Sequence, residues 1–176
     1  MKKLILLGLV MFSDLSFGFD LKGVELNSKA DIAVIESELN VRCSVVNPCN
    51  EPTGCSVVVT LCSGASTLIG HDVSVSVFLE KDVVSSINVE FDPIDYDSIK
   101  EALIKKFGKP KSVKKSTLGN AMGAKFNQIE IRWKDKIGIM SFDKYSDVIT
   151  KGTLQMITFD KLNQYTEQIK ASEKDL

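Results

Sequence analysis

The segment HDVSVSVFLEKDVVSSINVEF, residues 71–91, alternates apolar and polar residues almost without a break, and this period of two constrains the fold more than any other feature of the chain. Val73, Val75, Val77 and Leu79 point to one side, a turn falls at Glu80 to Asp82, and Val83, Ser85, Ile87, Val89 and Phe91 continue that side on the return. Such alternation calls for an antiparallel hairpin with one covered face and one wet face. Together with residues 55–61 it predicts three antiparallel strands, and helices must supply the cover.

Helical patterns stand where that cover is needed. In FDLKGVELNSKADIAVIESELNV, Ser28 is placed to cap a helix over about residues 29–39, with Ile32, Ile35 and Leu39 on one face. In DPIDYDSIKEALIKKFGKP, Asp92 caps and Pro93 takes the first helical position. Tyr96, Ile99, Leu103 and Phe107 then form the stripe, and Gly108 with Pro110 stops the helix. A polar, basic stretch follows. KFNQIEIRW, a turn at Lys134 to Lys136, and IGIMSF then predict a hairpin, with a further strand at TLQMITF. Leu162, Tyr165 and Ile169 predict a terminal helix before a charged tail that frays. The order is helix then three strands, twice, with a helical tail. It predicts an α+β fold in a single domain over residues 19–176, built of two half-repeats, about 19–91 and 92–176.

The opening MKKLILLGLVMFSDLSFG has two lysines, an apolar run from Leu4 to Phe12 and small residues at Ser16 and Gly18, the layout of a cleaved signal peptide over residues 1–18. The run is too short to cross a bilayer, which takes about 20 residues, so no transmembrane segment is expected. No cysteine follows it closely enough for a lipid anchor. Without residues 1–18 the chain keeps 20 basic and 22 acidic residues, an ordinary surface that favours no strongly charged partner. A periplasmic or secreted location follows from the signal.

All four cysteines, Cys43, Cys49, Cys55 and Cys62, lie within RCSVVNPCNEPTGCSVVVTLC. An exported chain with an even number of them reads as a disulfide framework. The C-x5-C-x5-C-x6-C spacing lacks the close pairs of a zinc knuckle and the CxxC of a redox centre. If the arms on either side of NPCNEPTG form a hairpin, Cys43 faces Cys62 and Cys49 faces Cys55; Cys43 with Cys49 and Cys55 with Cys62 stays open.

Candidate chemistry is sparse. His71 is the only histidine, so a Ser/His/Asp arrangement must include it, and its GHD setting reads as a solvated turn without a visible partner set. Asp92, Asp95 and Asp97 could be a calcium site or an acid/base pair, yet they lack the glycine and distant glutamate of an EF-hand, and helix starts attract acids anyway. No metal, cofactor or catalytic residue is assigned. Seven lysines, including Lys105, Lys106, Lys109 and Lys111, fall within residues 100–115 beside one acid, whereas residues 72–98 hold seven acids and one lysine. That asymmetry can steer a charged partner. Nucleic acid is not expected, because the basic stretch has no arginine and one aromatic. Gly119 and Gly123, around Asn120 and Lys125, shape a loop or bulge or admit a ligand close to the backbone. Trp133 reads as core rather than as an interface anchor.

ALIKKFGKP, NAMGAKFNQIEIRW and the FDKY stretch, with FDLKGVEL after a signal, resemble a family of small exported proteobacterial proteins, a likeness spanning most of the mature chain and carrying no catalytic residues. The duplicated helix-plus-sheet order is also similar to that of the β-lactamase inhibitor protein and of a small outer-membrane assembly lipoprotein, from which the missing lipid-anchor cysteine departs. The resemblance implies a binding scaffold, not an activity. The expected function is an exported, non-enzymatic protein-binding module of inhibitor, immunity or envelope-assembly type, its partner another protein in the cell envelope or outside. Lys105, Lys106, Lys109, Lys111, Asn120, Lys125 and Tyr145 are its candidate contacts. The alternative is an envelope hydrolase or small-ligand-binding protein using His71 or the aspartates near residue 92.

Overall fold

The computed structural model describes residues 18–46, 59–119, 122–146 and 148–173. Residues 1–17, which hold all but Gly18 of the expected signal peptide, and Cys49, Cys55 and Asn120 lie outside the described residues. A short hairpin, β1 (Asp20–Leu21) and β2 (Val24–Glu25), leads into α1 (Ile32–Leu39) and strands β3 (Arg42–Val46), β4 (Val59–Leu68), β5 (His71–Glu80) and β6 (Val83–Phe91). A 3-10 turn, Pro93–Asp95, runs into α2 (Tyr96–Phe107), followed by β7 (Ser112–Gly119), β8 (Lys125–Lys134), β9 (Gly138–Asp143), β10 (Gly152–Thr158) and α3 (Phe159–Glu173). Eight strands form one antiparallel sheet in the order β3-β4-β5-β6-β10-β9-β8-β7. The mixed helix and sheet content agrees with the α+β expectation. α1 and α2 are each followed by four strands rather than three.

The added strands are the two edges. β3 is the cysteine arm, and β7 is the polar basic stretch, which reads as a loop because an edge strand pairs on one side only and buries little. Its residues are exposed except for half-buried Ser116 and Leu118, so no alternation marks it.

Local chemistry moves other details. Asp31, not Ser28, caps α1: its Oδ1 accepts from the Ala33 and Val34 amides at 3.0 and 3.4 Å, while Ser28 Oγ donates to the Glu25 carbonyl at 2.8 Å. Ile35 and Leu39 are buried, but Ile32, in the first turn, is exposed. In the β5/β6 hairpin the register passes from Phe78 opposite Ser86 to Leu79 opposite Val84, leaving Ser85 as a bulge whose Oγ donates to the Phe78 carbonyl at 3.0 Å. The extra residue reverses parity, so Val84 rather than Val83 enters the core.

One sheet face is covered. Val75, Val77, Ile87, Val89, Met140 and Met156 meet Ile35 and Leu39 of α1, Tyr96, Ile99 and Leu103 of α2, and Phe19 and Leu21 of the first hairpin. Each such side chain withdrawn from water contributes about 1.5–3 kcal/mol. At the middle of the sheet Phe142 stacks between Phe91, 5.2 Å away, and Tyr96, 4.6 Å away, joining β9, β6 and α2. Trp133 is core, as expected, and its Nε1 donates to the Gly108 carbonyl at 2.9 Å, tying β8 to the end of α2. The other face is mostly polar: a cross-strand row runs from Arg42 through Ser63, Ser76, Asn88, Gln155 and Ser141 to Arg132. Arg132 is held by Asp143, with Nη2 to Oδ2 at 3.1 Å. On this face the outward-pointing Ser86 and Ile157 are nonetheless buried where α3 packs on β6 and β10, and Lys161 of α3 pairs with Glu80. Tyr165 and Ile169 of the expected α3 stripe remain exposed.

Cys43 and Cys62 sit opposite each other on β3 and β4 and form a disulfide. They are 19 residues apart in sequence, so the bridge contributes about 3 kcal/mol on the chain-entropy account. Cys43→Ala/Cys62→Ala should lose about that amount in urea unfolding monitored by Trp133 fluorescence.

Tyr96 carries a second expectation. Its ring is buried, and among the described residues its hydroxyl has no hydrogen-bond partner. Burial first, then the charges of Asp97 and Asp143, push the phenol well above its ordinary value. The raised value means the neutral form's contribution is full below about pH 10, where the unfolded phenol titrates, and is lost as pH rises further. Tyr96→Phe should raise stability by about 1 kcal/mol at neutral pH and remove part of the alkaline loss in pH-dependent melts.

Candidate functional site

The β4–β5 connection is two residues, Ile69 and Gly70, with φ of +56° and +80°. Positive φ at both positions is the hairpin geometry that matches strand twist, and it is strained for a β-branched residue such as Ile69. The tight turn delivers His71 as the first residue of β5, with the inward parity of Val73 and Val75. There it meets the start of α2. His71 Nδ1 lies 2.9 Å from Asp95 Oδ1 and Nε2 lies 2.8 Å from Ser98 Oγ, while Ser98 Oγ is 2.9 Å from the Asp95 carbonyl oxygen. The histidine, expected as a solvated turn residue, therefore has a carboxylate and a hydroxyl on its two nitrogens, with its side chain 30% exposed and that of Asp95 20%. Ser98 is absent from the sequence-derived candidates.

The three aspartates do not converge. Asp92 Oδ1 accepts from the Ile94 amide at 3.0 Å, Asp95 faces His71, and Asp97 pairs with Lys100, whose hydrogen bond and charge hold that carboxyl below its usual range. Capping describes Asp92; the other two serve different partners.

The same end of the sheet gathers exposed apolar side chains. The β4–β5 turn, the β6–α2 connection and the β9–β10 loop leave five consecutive strands at one end, each strand about 4.8 Å from the next. They present Ile69 at 51% exposure, Ile94 at 85%, Val148 at 52% and Ile149 at 37%. At this end of the sheet a groove of about 350 Å³ is lined by Asp72, Glu90, Phe91, Asp92, Thr150 and Lys151. Asp72 and Asp92 are exposed and make its rim acidic on the β5 side.

The expected contact residues divide between two ends of β8. Lys105 and Lys106 occupy the last turn of α2, where cations complement the helix carbonyls, and Lys109 and Lys111 are exposed beyond it. Lys106 is engaged within the chain: its Nζ is 2.7 Å from Asp20 Oδ2 and 5.2 Å from the Phe107 ring centre. The Lys111 amide donates to the Arg132 carbonyl at 2.8 Å, which fixes this group at the far end of β8. Lys125 opens β8 at the other end, about 23 Å along the strand. Tyr145 lies there too, edge-on to Phe126 at 5.9 Å, its amide and carbonyl both bonded by the Gln128 side chain. Lys125 and Tyr145 thus share the end that carries Ile69 and Ile94, and the lysines of the α2–β7 connection do not.

Comparison with protein-family models, with curated proteins and with solved structures finds no match to this chain. Among the described residues no helix is long and apolar enough to cross a membrane.

Since the turn at Ile69 favours residues that tolerate positive φ, Ile69→Asn should raise stability by about 1 kcal/mol in urea unfolding.

Proposed function

We propose that the chain is an exported, non-enzymatic protein-binding module, periplasmic or secreted, of inhibitor, immunity or envelope-assembly type. The observation that carries this reading is the set of exposed apolar side chains at one sheet end, Ile69, Ile94, Val148 and Ile149, held on turns of a crosslinked sheet. Apolar groups held on an ordered frame lose less freedom when a partner covers them than groups on a disordered segment, and clustered exposed apolar groups mark interaction sites. A strained isoleucine in a turn that asparagine would relax adds weight, because backbone strain collects at functional positions. The acidic rim of Asp72 and Asp92 suits a partner whose apolar pocket is bordered by basic groups. Lys125 and Tyr145 extend the same contact surface, and Asn120, outside the described residues, stays an expected contact. Lys105, Lys109 and Lys111 form a separate basic surface that steers approach and acts through the association rate.

The strand order, symmetric about the β6–β10 pair, supports reading the chain as two half-repeats, about 19–91 and 92–176. The disulfide is in keeping with an oxidising compartment and so with the signal-peptide reading of residues 1–18. A second reading, an envelope hydrolase or small-ligand-binding protein, draws on one observation, the engagement of both His71 nitrogens by Asp95 and Ser98.

Affinity capture from an envelope extract, followed by calorimetry with the purified partner, tests the first reading. A stoichiometric partner should bind Ile94→Asp at least ~10-fold more weakly, the loss expected for one anchor worth about 1.4 kcal/mol, with no change in melting temperature. Charge reversal of Lys105, Lys109 and Lys111 should slow association and reduce its salt dependence. Binding that ignores Ile94→Asp, or the absence of any stoichiometric partner, would sink the reading.

A further inference from the structure

We propose that Ser98, His71 and Asp95 form a nucleophilic site that cleaves small neutral carboxylic esters. The proposal rests on the second reading above rather than the non-enzymatic one, and its site borders the protein-binding surface, sharing Ile69 and Ile94 with it. Its basis is a chain of contacts in the order carboxylate, imidazole, hydroxyl, with Asp95 Oδ1 to His71 Nδ1 at 2.9 Å and His71 Nε2 to Ser98 Oγ at 2.8 Å. Both fall within the reach that proton transfer to a general base requires. Asp95 is acceptor-only when ionised, so it selects the tautomer with the proton on Nδ1 and leaves the Nε2 lone pair directed at the serine. This assignment follows from the partners, since hydrogens are placed by the network they serve.

Further features suit the chemistry. Asp95 and Ser98 sit one helical turn apart at the start of α2, and Ser98 Oγ donates to the Asp95 carbonyl at 2.9 Å, a bond that holds the rotamer beside the ring and that the hydroxyl gives up when its proton turns to Nε2. The ring itself is held by a two-residue turn on one side and by β5 on the other. Water and a small substrate can reach the site, because the His71 side chain is 30% exposed. Ser98 also lies in the first turn of a 12-residue helix, whose positive end favours the oxygen anion that develops when a carbonyl is attacked. Ile69, two residues before His71, and Ile94, next to Asp95, are exposed and offer an apolar acyl group a surface. The carboxylates of Asp72, Asp92 and Asp97 nearby in sequence disfavour anionic substrates, which is why a neutral ester is specified.

The reaction is hydrolysis with water as co-reactant. Ser98 Oγ forms a bond to the carbonyl carbon while its proton passes to His71 Nε2. The carbon–oxygen bond to the alcohol then breaks, and Nε2 delivers the proton to the departing oxygen, leaving the acyl group on Ser98. Water attacks that acyl carbon and gives its proton to Nε2; the bond to Oγ breaks, the carboxylic acid leaves, and the proton returns to Oγ. Asp95 acts through His71 and is a positioning residue.

The test uses the full chain with a fluorophosphonate probe and, separately, p-nitrophenyl acetate. Tandem mass spectrometry should find the phosphonate on Ser98, and Ser98→Ala should abolish both labelling and ester turnover. His71→Gln should lower each by more than ~100-fold with an unchanged urea midpoint. Asp95→Asn should lower kcat and leave KM unaltered. Labelling of the unaltered chain does not depend on whether a variant folds. If the probe leaves Ser98 unmodified, or if turnover survives Ser98→Ala, the proposal is overturned. Partner affinity measured on Ser98→Ala separates the two readings: loss of ester turnover with binding intact leaves the docking surface standing, and loss of partner binding with turnover intact in Val148→Asp leaves the nucleophile standing.

Discussion

The pairing of β6 with β10 is the constraint on which the rest of the molecule depends. Residues 86–91 run antiparallel to residues 152–157, and this single ladder turns two four-strand meanders into one eight-strand sheet. Cross-strand apolar pairs, Val89 with Leu154 and Ile87 with Met156, fill the covered side of the seam. The Phe91–Phe142–Tyr96 stack lies over the same region and adds edges from β9 and α2. Stacked rings contribute about 0.5–1.5 kcal/mol per pair beyond the area they bury, so the seam is reinforced where it is most needed. Gly152 belongs to this arrangement: a side chain there would place its Cβ 2.3 Å from the Phe91 ring, so only glycine lets the two strands and the ring coexist.

A sheet built this way sends its connections to two ends of different character. One end carries the lysines of the α2–β7 connection, which face water or, for Lys106, an internal partner. The opposite end carries short, stiff turns with apolar tips and a histidine set against the start of α2. The lysines beyond α2 and Lys125 thus sit about 23 Å apart along β8, a separation that lets charge at one end and apolar surface at the other be altered independently.

How much of this was legible in the sequence differs from one element to the next. The strand alternation of β5 and the punctuation of α2 were readable because burial on one face and a capped start leave marks on consecutive residues. The Ser85 bulge was not, since a bulge shifts parity without changing composition, and the alternation simply seems to slip by one residue at Val83 and Val84. β7 was hidden because an exposed edge strand needs no apolar side. The His71 partners were within reach in principle. The turn at Lys81 and Asp82 fixes the register, and extending it to the end of β5 puts His71 beyond Phe91, beside the turn that begins at Asp92. What sequence could not supply was the fold of α2 back over that end, which depends on the core contacts of Tyr96 and Ile99. The lysines near residue 109 and Lys125 are close along the chain but not in space, because β8 separates Lys125 from Lys111 by most of its length.

The two borders of the sheet are guarded by unlike means. β3 is clasped to its neighbour by a covalent bond, whereas β7 is shielded by the charges of Lys114 and Lys115. An unpaired border offers its amides and carbonyls as a template to any extended chain that comes near. Each guard fails under its own condition. Reduction removes the clasp between β3 and β4 and leaves the lysines of β7 in place; salt of about 1 M, where charges are screened beyond roughly 3 Å, does the opposite. The two margins of one sheet therefore answer to different solution conditions, one to reductant and the other to ionic strength.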